Sequence, residues 1–331
     1  MYLQSGSVNQ ISEPHGFFTI FFLLSILSFG QEPLQGELII YHAGSLTVPV
    51  DNLVKEFKIL HPNLEIKTTA GGSRAIARLV AETGQKADIL MSADYAVIDN
   101  LLIPDYADWN ILFAENSMVI MYTDKSRYAN EINTDNWYNI LLKEGVEYGH
   151  SEPNADPCGY RSVLLFQLAE NFYQEKGLNQ ELLNHCPEKN IRPKSVELIA
   201  LLETGVLDYA FEYESVALQH QFKDNKFKYI KLPKAIDLSS LKYLDKYAKA
   251  TIELSGAEPG TTITTKGEPI VYGITMPHSG ENRENALAFL VFLFDKNKGL
   301  KIIHDSGQPI HDLEVVTGAD KLPDELGYLL K

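Results

Sequence analysis

Basic residues and cysteines are both scarce in this sequence, and each shortage excludes a class of protein. The 331 residues include 29 lysines and arginines against 44 aspartates and glutamates, a formal net charge of −15. Proteins that bind duplex nucleic acid usually carry a basic surface, so no nucleic-acid partner is expected. Two cysteines are too few for a disulfide-rich scaffold or a four-cysteine metal site.

The N-terminus carries the main uninterrupted apolar block, residues 17–29. It is short for a bilayer span, which needs ~20 residues, and it is typical of a signal peptide. Ser28 and Gly30 are small residues at the positions before a cleavage site, which predicts a signal peptide over 1–30. The basic leader is missing, since no lysine or arginine precedes Lys55, and a buried N-terminal helix is the alternative. No cysteine lies near the cleavage site, so no lipid anchor is expected. The sequence therefore predicts a soluble, exported, periplasmic protein.

Strand and helix patterns alternate after this block. Apolar residues predict strands over 37–43, 64–70 and 88–92, and helical spacing of apolar residues follows each of the first two. This β-α-β-α-β order predicts a parallel sheet with right-handed crossovers. Further strands are predicted over 117–122, 206–213 and 269–276. A long helix is predicted to follow the loop 151–159 and to end near residue 176, and two more helices are predicted over 195–204 and 282–294. The polar run 237–249 is expected to be a surface excursion.

Three polar loops follow strands or open helices: Gly44-Ser45, 71–73 and 156–160. Ligands of open α/β sheets bind beyond the carboxyl ends of the strands, and helix N-termini favour anions. Because the chain is acidic overall, an anion would have to be held by such local donors. The alternative is that Ser45, Ser73 and Asp156 only cap their helices.

Two glutamates end the strand predicted over 206–213. Alternation places Glu212 and Glu214 on one face and Phe211 and Tyr213 on the other, so the pattern does not choose between the glutamates. Asp156 with Glu212 could also form the acid–base pair of a glycoside hydrolase. Two carboxylates among 44 acidic residues are weak evidence for that, and no HExxH or GxSxG motif is present.

Longer motifs carry a resemblance over the whole chain after the leader: HAGSL (42–46), AGGSRA (70–75), ADPCGYRS (155–162), FEYESVA (211–217) and YIKLP (229–233). In this order they resemble the periplasmic tungstate/molybdate-binding proteins of ABC transporters, in the branch first associated with archaea. IVYGITMP (270–277) is similar to the return segment of type II periplasmic binding proteins.

The resemblance implies two α/β lobes joined by crossover strands, with a ligand cleft between them. The first lobe would hold 37–115 and 271–331, and the second 116–270. It also implies a monomer without enzymatic activity or cofactor, which delivers its oxyanion to a membrane permease with a cytoplasmic ATPase. The alternative cargoes are sulfate and ferric iron. The 17 tyrosines could supply ligands for ferric iron.

Carried over residue by residue, the resemblance also implies a ligand set. Asp156 and Glu212 would bond the metal of the oxyanion through their carboxylates. The implied hydrogen-bonding ligands are the backbone and hydroxyl of Gly44 and Ser45, the Ser73 hydroxyl, the Pro157–Cys158 turn with the Cys158 N–H, and the Tyr229 phenol.

The two cysteines offer a further prediction. In an oxidising periplasm, Cys158 and Cys186 could form a disulfide that stabilises the fold by ~3–4 kcal/mol and pins the Asp156 loop. Two separate buried thiols are the alternative.

Overall fold

A computed structural model describes residues 34–330 of the chain. The predicted signal peptide over 1–30 lies outside these residues. Within the described part, no helix combines the length and apolar character needed to cross a membrane. The helices are α1 Thr47–Leu60, α2 Ser73–Thr83, α3 Tyr95–Leu101, α4 Trp137–Leu141, α5 Pro157–Tyr173, α6 Leu178–His185, α7 Leu198–Thr204, α8 Glu214–Lys223, α9 Leu244–Tyr247, α10 Arg283–Phe294 and α11 Gly299–Asp305. The strands are β1 Gly36–Ala43, β2 Leu64–Gly71, β3 Ile89–Ser92, β4 Asn110–Asn116, β5 Met118–Thr123, β6 Tyr148–Gly149, β7 Tyr209–Tyr213, β8 Phe227–Lys231, β9 Thr251–Ser255, β10 Thr262–Lys266, β11 Ile270–Thr275 and β12 Ile310–Thr317.

The larger sheet has six strands in the order β12-β4-β11-β3-β1-β2. β1 pairs in parallel with both β2 and β3, which confirms the parallel sheet predicted from the first alternating segments. β11 returns from late in the chain and pairs antiparallel with β3 and β4. Apart from Asn116 at the end of β4, Ile270 at the start of β11 and Gly36 at the start of β1, the residues of these six strands lie in the two segments predicted to form the first lobe.

A second sheet has four strands in the order β6-β7-β5-β8. β5 pairs antiparallel with β7 and β8, and β6 pairs in parallel with β7. β9 and β10 form a separate antiparallel hairpin. These strands all fall within 116–270, so each sheet is built almost wholly from residues assigned to one predicted lobe.

The apolar spacing in α1 shows why these segments fold as they do. Val50, Leu53 and Phe57 recur at helical intervals and are all buried, so α1 packs one face inward. The Phe57 ring meets Phe289 of α10 edge-on, with ring centroids 5.2 Å apart. Packing of this kind fixes the helices behind the large sheet and leaves its strand ends free to build a site.

One prediction about the surface is wrong in part. The run 237–249 was expected to be a surface excursion, but Asp237, Leu238 and Tyr247 are buried. The Asp237 backbone carbonyl accepts a hydrogen bond from the N–H of Met118, 2.8 Å away. This run therefore packs beside the start of β5, because its few apolar side chains are enough to bury it.

Candidate functional site

Two glycine-serine loops lie side by side at the carboxyl edge of the six-stranded sheet. The last residues of β1 and β2, Ala43 and Gly71, are paired in register. Each strand is followed at once by its loop, Gly44-Ser45 and Gly72-Ser73. These two loops therefore lie beyond the carboxyl ends of neighbouring strands, where the sequence pattern placed them.

Ser45 belongs to a buried chain of hydrogen bonds and does not cap its helix. Its hydroxyl lies 2.9 Å from the phenol oxygen of Tyr272. That phenol in turn accepts from the side-chain amide of Asn116 at 2.9 Å, and the same amide donates to Ser215 at 2.8 Å. Asn116 ends β4, so this chain of contacts links the six-stranded sheet to the start of α8.

Ser73 opens α2, and its side chain makes no capping bond to that helix. The hydroxyl oxygen instead accepts from the backbone N–H of Ala93 at 2.9 Å. The cap interpretation of both serines is therefore wrong. A hydroxyl that already accepts one bond can still donate its own proton, so Ser73 can contribute a donor to a bound group.

Asp156 does cap its helix, as the alternative interpretation proposed. Its Oδ1 accepts from the Cys158 N–H at 3.2 Å, and its Oδ2 accepts from the Ser195 N–H at 2.7 Å. Pro157 occupies the first turn of α5, where the lack of a backbone donor costs nothing. The Cys158 N–H, predicted to face a ligand, is thus engaged with the Asp156 carboxylate and fixes its direction.

Glu212 is fully buried on β7. Its Oε2 accepts from the Tyr213 N–H at 2.8 Å, and the Cys158 thiol lies 4.0 Å away. Its other oxygen, Oε1, is buried and has no hydrogen-bond partner within residues 34–330. An unsatisfied buried carboxyl oxygen is costly, and so it marks a place where a bound group would be stabilised.

Burial changes the protonation of both acids. Desolvation, with a smaller contribution from the nearby Asp156 carboxylate, raises the pKa of Glu212 to about 8, although the Tyr213 N–H and the Ser195 side chain oppose this. Desolvation also raises the pKa of Asp156, against the N–H donors of Ser195 and Cys158. Glu212 therefore tends to hold a proton at neutral pH, which relieves repulsion between two buried carboxylates.

Arg161 on α5 is buried, and its positive charge is close enough to act on the Asp156 carboxyl. Its Nη1 donates to the Ala93 carbonyl at 2.7 Å and to the Tyr213 phenol at 2.9 Å. Its Nη2 lies 3.1 Å from the Asp94 carboxylate. Arg161 lowers the pKa of Asp156, but it spends its direct contacts on other groups. Within the described residues, Arg161 therefore forms no direct ion pair with Asp156 or Glu212.

The two predicted faces of β7 need a correction. Alternation placed Glu212 and Glu214 together, but the strand ends at Tyr213 and Glu214 is already helical. Glu214 accepts from the Ser117 hydroxyl at 2.7 Å and pairs with Lys231. The strand-to-helix transition thus turns Glu214 out of the buried site and leaves Glu212 in it.

Tyr229 lies on β8, opposite Met121, and it is only partly buried. Burial raises the pKa of its phenol, as does the adjacent Glu214, while Lys231 lowers it. These neighbours belong to the outer end of the small sheet, and the contacts described above for the buried acids do not include Tyr229. Its role as a ligand stays a prediction.

The predicted disulfide is wrong, since both cysteines are free and buried. The thiol of Cys158 faces the Phe211 carbonyl at 3.8 Å, whereas the thiol of Cys186 faces the Tyr148 carbonyl at 3.5 Å. One thiol projects onto β7 from the first turn of α5, and the other projects onto β6 from the end of α6. The two side chains therefore serve different packing contacts.

The loops of the two sheets touch each other directly. A Cβ added at Gly72 would lie 2.4 Å from the Ala155 carbonyl, and one added at Gly44 would lie 3.1 Å from Val196. The N–H of Ala75 donates to the Ala155 carbonyl at 3.1 Å. Only glycine allows so close an approach at position 72. The structure thus brings Gly44, Ser45 and Ser73 against the segments that carry Asp156 and Ser195.

Ser195 and Tyr272 were missed by the sequence reasoning. A signal was present for Ser195, because it begins the helix predicted over 195–204, as Ser73 begins its own helix. Tyr272 gave no signal, because an aromatic residue inside an apolar strand looks like ordinary core. Within the described residues, no cluster of three or more His, Cys, Asp or Glu side chains is arranged to hold a metal cation.

Comparison with known proteins supports a binding fold. The family model described as bacterial extracellular solute-binding protein matches residues 38–307. A solute-binding protein of Petrotoga mobilis is 47% identical over 94% of this chain and 96% of its own. The molybdate/tungstate-binding protein WtpA of Pyrococcus abyssi is 40% identical over the same shares, 94% and 96%.

Solved structures share the fold at low identity. The periplasmic molybdate-binding protein of Azotobacter vinelandii aligns with a TM-score of 0.52 at 16% identity, covering 82% of this chain and 98% of its own. The sulfate-binding protein SubI of Mycobacterium tuberculosis aligns with a TM-score of 0.58 at 13% identity, covering 83% and 87%. Both comparisons support the fold of type II periplasmic binding proteins. The relatives and structural neighbours are named for a bound solute and not for a cofactor or a catalysed reaction. The chain belongs to the family of bacterial extracellular solute-binding proteins.

Proposed function

We propose that this chain is the solute-binding component of an ABC importer and that it captures tungstate or molybdate between its two sheets. The observation that carries the proposal is the buried pair of Asp156 and Glu212, with one Glu212 oxygen unpartnered within 34–330. The 40% identity with a molybdate/tungstate-binding protein over 94% of the chain supports the same cargo.

An acidic pair is at first sight a poor site for a dianion. A carboxylate beside a tetrahedral oxyanion is repulsive, and desolvation strengthens the repulsion. Molybdenum(VI) and tungsten(VI) are large, hard centres that can accept oxygen ligands beyond their four oxo groups. One oxygen each from Asp156 and Glu212 would bring the metal to six-fold coordination. The bonds formed outweigh the repulsion, and the unpartnered Oε1 of Glu212 gains a partner.

The same chemistry excludes sulfate. Sulfur in sulfate does not take on two further oxygen ligands, so sulfate would gain no bond that compensates for loss of the Glu212 proton. The ionised pair would then repel it. Selectivity is the difference between two binding free energies, so it increases both when the ligand binds more tightly and when a competitor binds more weakly. The acidic pair thus explains both how the metalate is bound and how sulfate is rejected.

The remaining ligands would hold the oxo groups. The Ser73 hydroxyl is free to donate, and Tyr272 with Asn116 fixes the direction of the Ser45 hydroxyl. The N–H groups at the Gly44-Ser45 turn would add donors beyond the end of β1. The Pro157–Cys158 turn holds the Asp156 carboxylate in place through the Cys158 N–H.

The two sheets would act as the two lobes, with 37–115 and 271–331 in one and 116–270 in the other. The chain crosses between them next to Asn116, whose side chain bonds both Tyr272 and Ser215. Opening about this crossing would separate Ser45 and Ser73 from Asp156 and Glu212, as in hinge-type binding proteins. The loaded monomer, exported by its signal peptide, would then deliver the oxyanion to a membrane permease with a cytoplasmic ATPase.

Calorimetry tests this function and its cargo. We expect tungstate and molybdate to bind, and sulfate and ferric citrate to give no comparable heat. Glu212→Gln should weaken metalate binding sharply, and the neighbouring Glu214→Gln should leave it unchanged. A protein that ignores both metalates, or that binds sulfate or ferric citrate in their place, would overturn the proposed cargo.

A further inference from the structure

Two arginines on α2 reach across to the β9–β10 hairpin. Nη2 of Arg78 donates to the carbonyls of Ser255, at 3.0 Å, and Gly256, at 2.6 Å. Nη2 of Arg74 also donates to the Ser255 carbonyl, and its Nε donates to the Asn154 carbonyl at 3.2 Å. Charged donors on neutral carbonyls form strong hydrogen bonds. None of these contacts includes Ser73, Asp156 or Glu212.

The hairpin itself is tied to the side of the four-stranded sheet. Gln167 of α5 both donates to the Thr251 carbonyl at 2.8 Å and accepts from the Thr251 N–H at 3.1 Å. The Asn154 side-chain oxygen accepts from the N–H and the hydroxyl of Ser255, each at 2.8 Å. The arginines, in contrast, belong to a helix of the six-stranded sheet. The contact therefore spans the two sheets.

We propose that Arg74 and Arg78 are positioning residues that clasp the hairpin and hold the two lobes closed over the bound solute. The inference rests on the proposed function for the identity of the solute bound between the lobes. The clasp itself consists of hydrogen bonds between protein groups alone. Arg74 follows Ser73 directly, and Asn154 precedes Asp156 by two residues. Closing the clasp therefore brings together the two segments that would carry ligands from opposite lobes.

The clasp sets how often the cleft opens, and hence how fast the solute leaves. Removal of Arg78 takes away two charge-assisted hydrogen bonds at a partly exposed position. We expect the open fraction, and with it the solute release rate, to rise roughly tenfold. Arg78→Lys can still reach one carbonyl, so it should restore part of the loss.

One amide reports closure without any ligand. The Ala75 N–H lies in the first turn of α2, where helical amides have no partner within the helix, and it donates to the Ala155 carbonyl across the cleft at 3.1 Å. Its hydrogen exchange in the ligand-free chain therefore measures opening. The Val80 amide, inside α2, measures the stability of the helix.

The matched control uses the other contact of Arg78. Its Nη1 donates to Glu82 at 2.6 Å on the surface of α2, and Glu82→Gln removes that ion pair while leaving the carbonyl bonds intact. We expect Arg78→Ala to speed hydrogen exchange at the Ala75 amide roughly tenfold and Arg78→Lys to speed it by less. Glu82→Gln should leave exchange at Ala75 unchanged. Exchange at the Val80 amide should be the same in all three variants. Unchanged exchange at Ala75 in Arg78→Ala, or an equal effect of Glu82→Gln, would overturn the clasp.

Adding tungstate separates this inference from the proposed cargo. We expect tungstate to slow exchange at Ala75 in the wild-type chain and to slow it less in Arg78→Ala. If tungstate protects neither chain while Arg78→Ala still exposes Ala75 without ligand, the clasp stands and the proposed cargo fails. If tungstate protects both chains equally, the cargo stands and the clasp fails.

Discussion

Tungstate binding should release a proton from Glu212. Burial raises the pKa of this carboxyl to about 8, so at pH 7 the empty site holds about 0.9 proton on Glu212. A carboxylate that bonds the metal cannot keep this proton. We therefore expect about 0.9 proton to leave Glu212 on binding at pH 7.

The sign of the pH dependence follows from the same shift. Because binding expels a proton, the affinity for tungstate should rise with pH by up to about tenfold per pH unit below pH 8 and level off above it. By pH 9 only about 0.1 proton remains on Glu212 to be released.

Calorimetry in buffers of different ionisation enthalpy counts these protons. The observed heat should change with buffer enthalpy at pH 7 and become much less sensitive at pH 9. Glu214→Gln provides the control. Burial raises the pKa of Glu214, but hydrogen bonds from Lys231 and Ser117 outweigh this and lower it on balance, so Glu214 holds no proton to release at pH 7. Tungstate binding with no proton release at pH 7 would show that Glu212 keeps its proton and donates it to an oxo group, and the coordination argument would be refuted.

Three further outcomes are expected from the ligand-free chain and its variants. The unfolding free energy should fall as pH rises from about 4.5 to 8, because the folded state keeps a proton on Glu212 that the unfolded state loses. The contribution of Glu212 to this slope is at most about 1.4 kcal/mol per pH unit. Urea titrations should show a flatter slope for Glu212→Gln. Gly72→Ala should weaken tungstate binding at least tenfold by calorimetry, since its Cβ would lie 2.4 Å from the Ala155 carbonyl in the closed cleft. Mass spectrometry after alkylation of the unfolded, unreduced chain should find both Cys158 and Cys186 modified.

Each of these outcomes has a result that would contradict it. A stability slope that is the same in Glu212→Gln and the wild type would mean that other buried groups titrate in its place. Gly84→Ala, at a left-handed position with no atom within 4 Å of the added Cβ, separates general backbone strain from the loop contact of Gly72. Equal loss of binding in both glycine variants would remove the closed-cleft explanation. If mass spectrometry of the exported chain finds Cys158 and Cys186 linked and unalkylated, the predicted disulfide would be correct.

Regular alternation of strand and helix patterns made the parallel strands β1, β2 and β3 of the larger sheet predictable. The strands over 37–43 and 88–92 are short, largely apolar runs, and in 64–70 the apolar Leu64 and Ile66 alternate with polar residues. Local sequence predicts such elements well. The strands β4, β8 and β12 were not predicted, because their place depends on partners far along the chain. β12, for example, is held by β4, about 200 residues earlier.

The site was predictable where chemistry follows directly after a strand. Gly44, Ser45, Ser73, Asp156 and Glu212 all stand at strand ends or helix starts. The loops that carry the first three contact the segments that carry Asp156 and Ser195, and the roles of all five as ligands stay predictions. Their partners could not be predicted in the same way. The bond between Ser45 and Tyr272 joins residues 227 positions apart, and only the return strand β11 brings them into contact.

Local periodicity also misled at two places. It could not show that β7 ends at Tyr213, and that boundary decides which glutamate is buried. Counting cysteines could not show that Cys158 and Cys186 face different strands. In both cases tertiary packing, which the local pattern does not contain, decides the outcome.

The oxygen count around the bound metal tests the proposed coordination most directly. X-ray absorption spectra of the purified chain loaded with tungstate give the number of oxygens bonded to tungsten and their distances. We expect a shell of six, with four oxo groups and two longer bonds that are lost or reduced in Glu212→Gln. A shell of four oxygens, as in free tungstate, would contradict the coordination by Asp156 and Glu212.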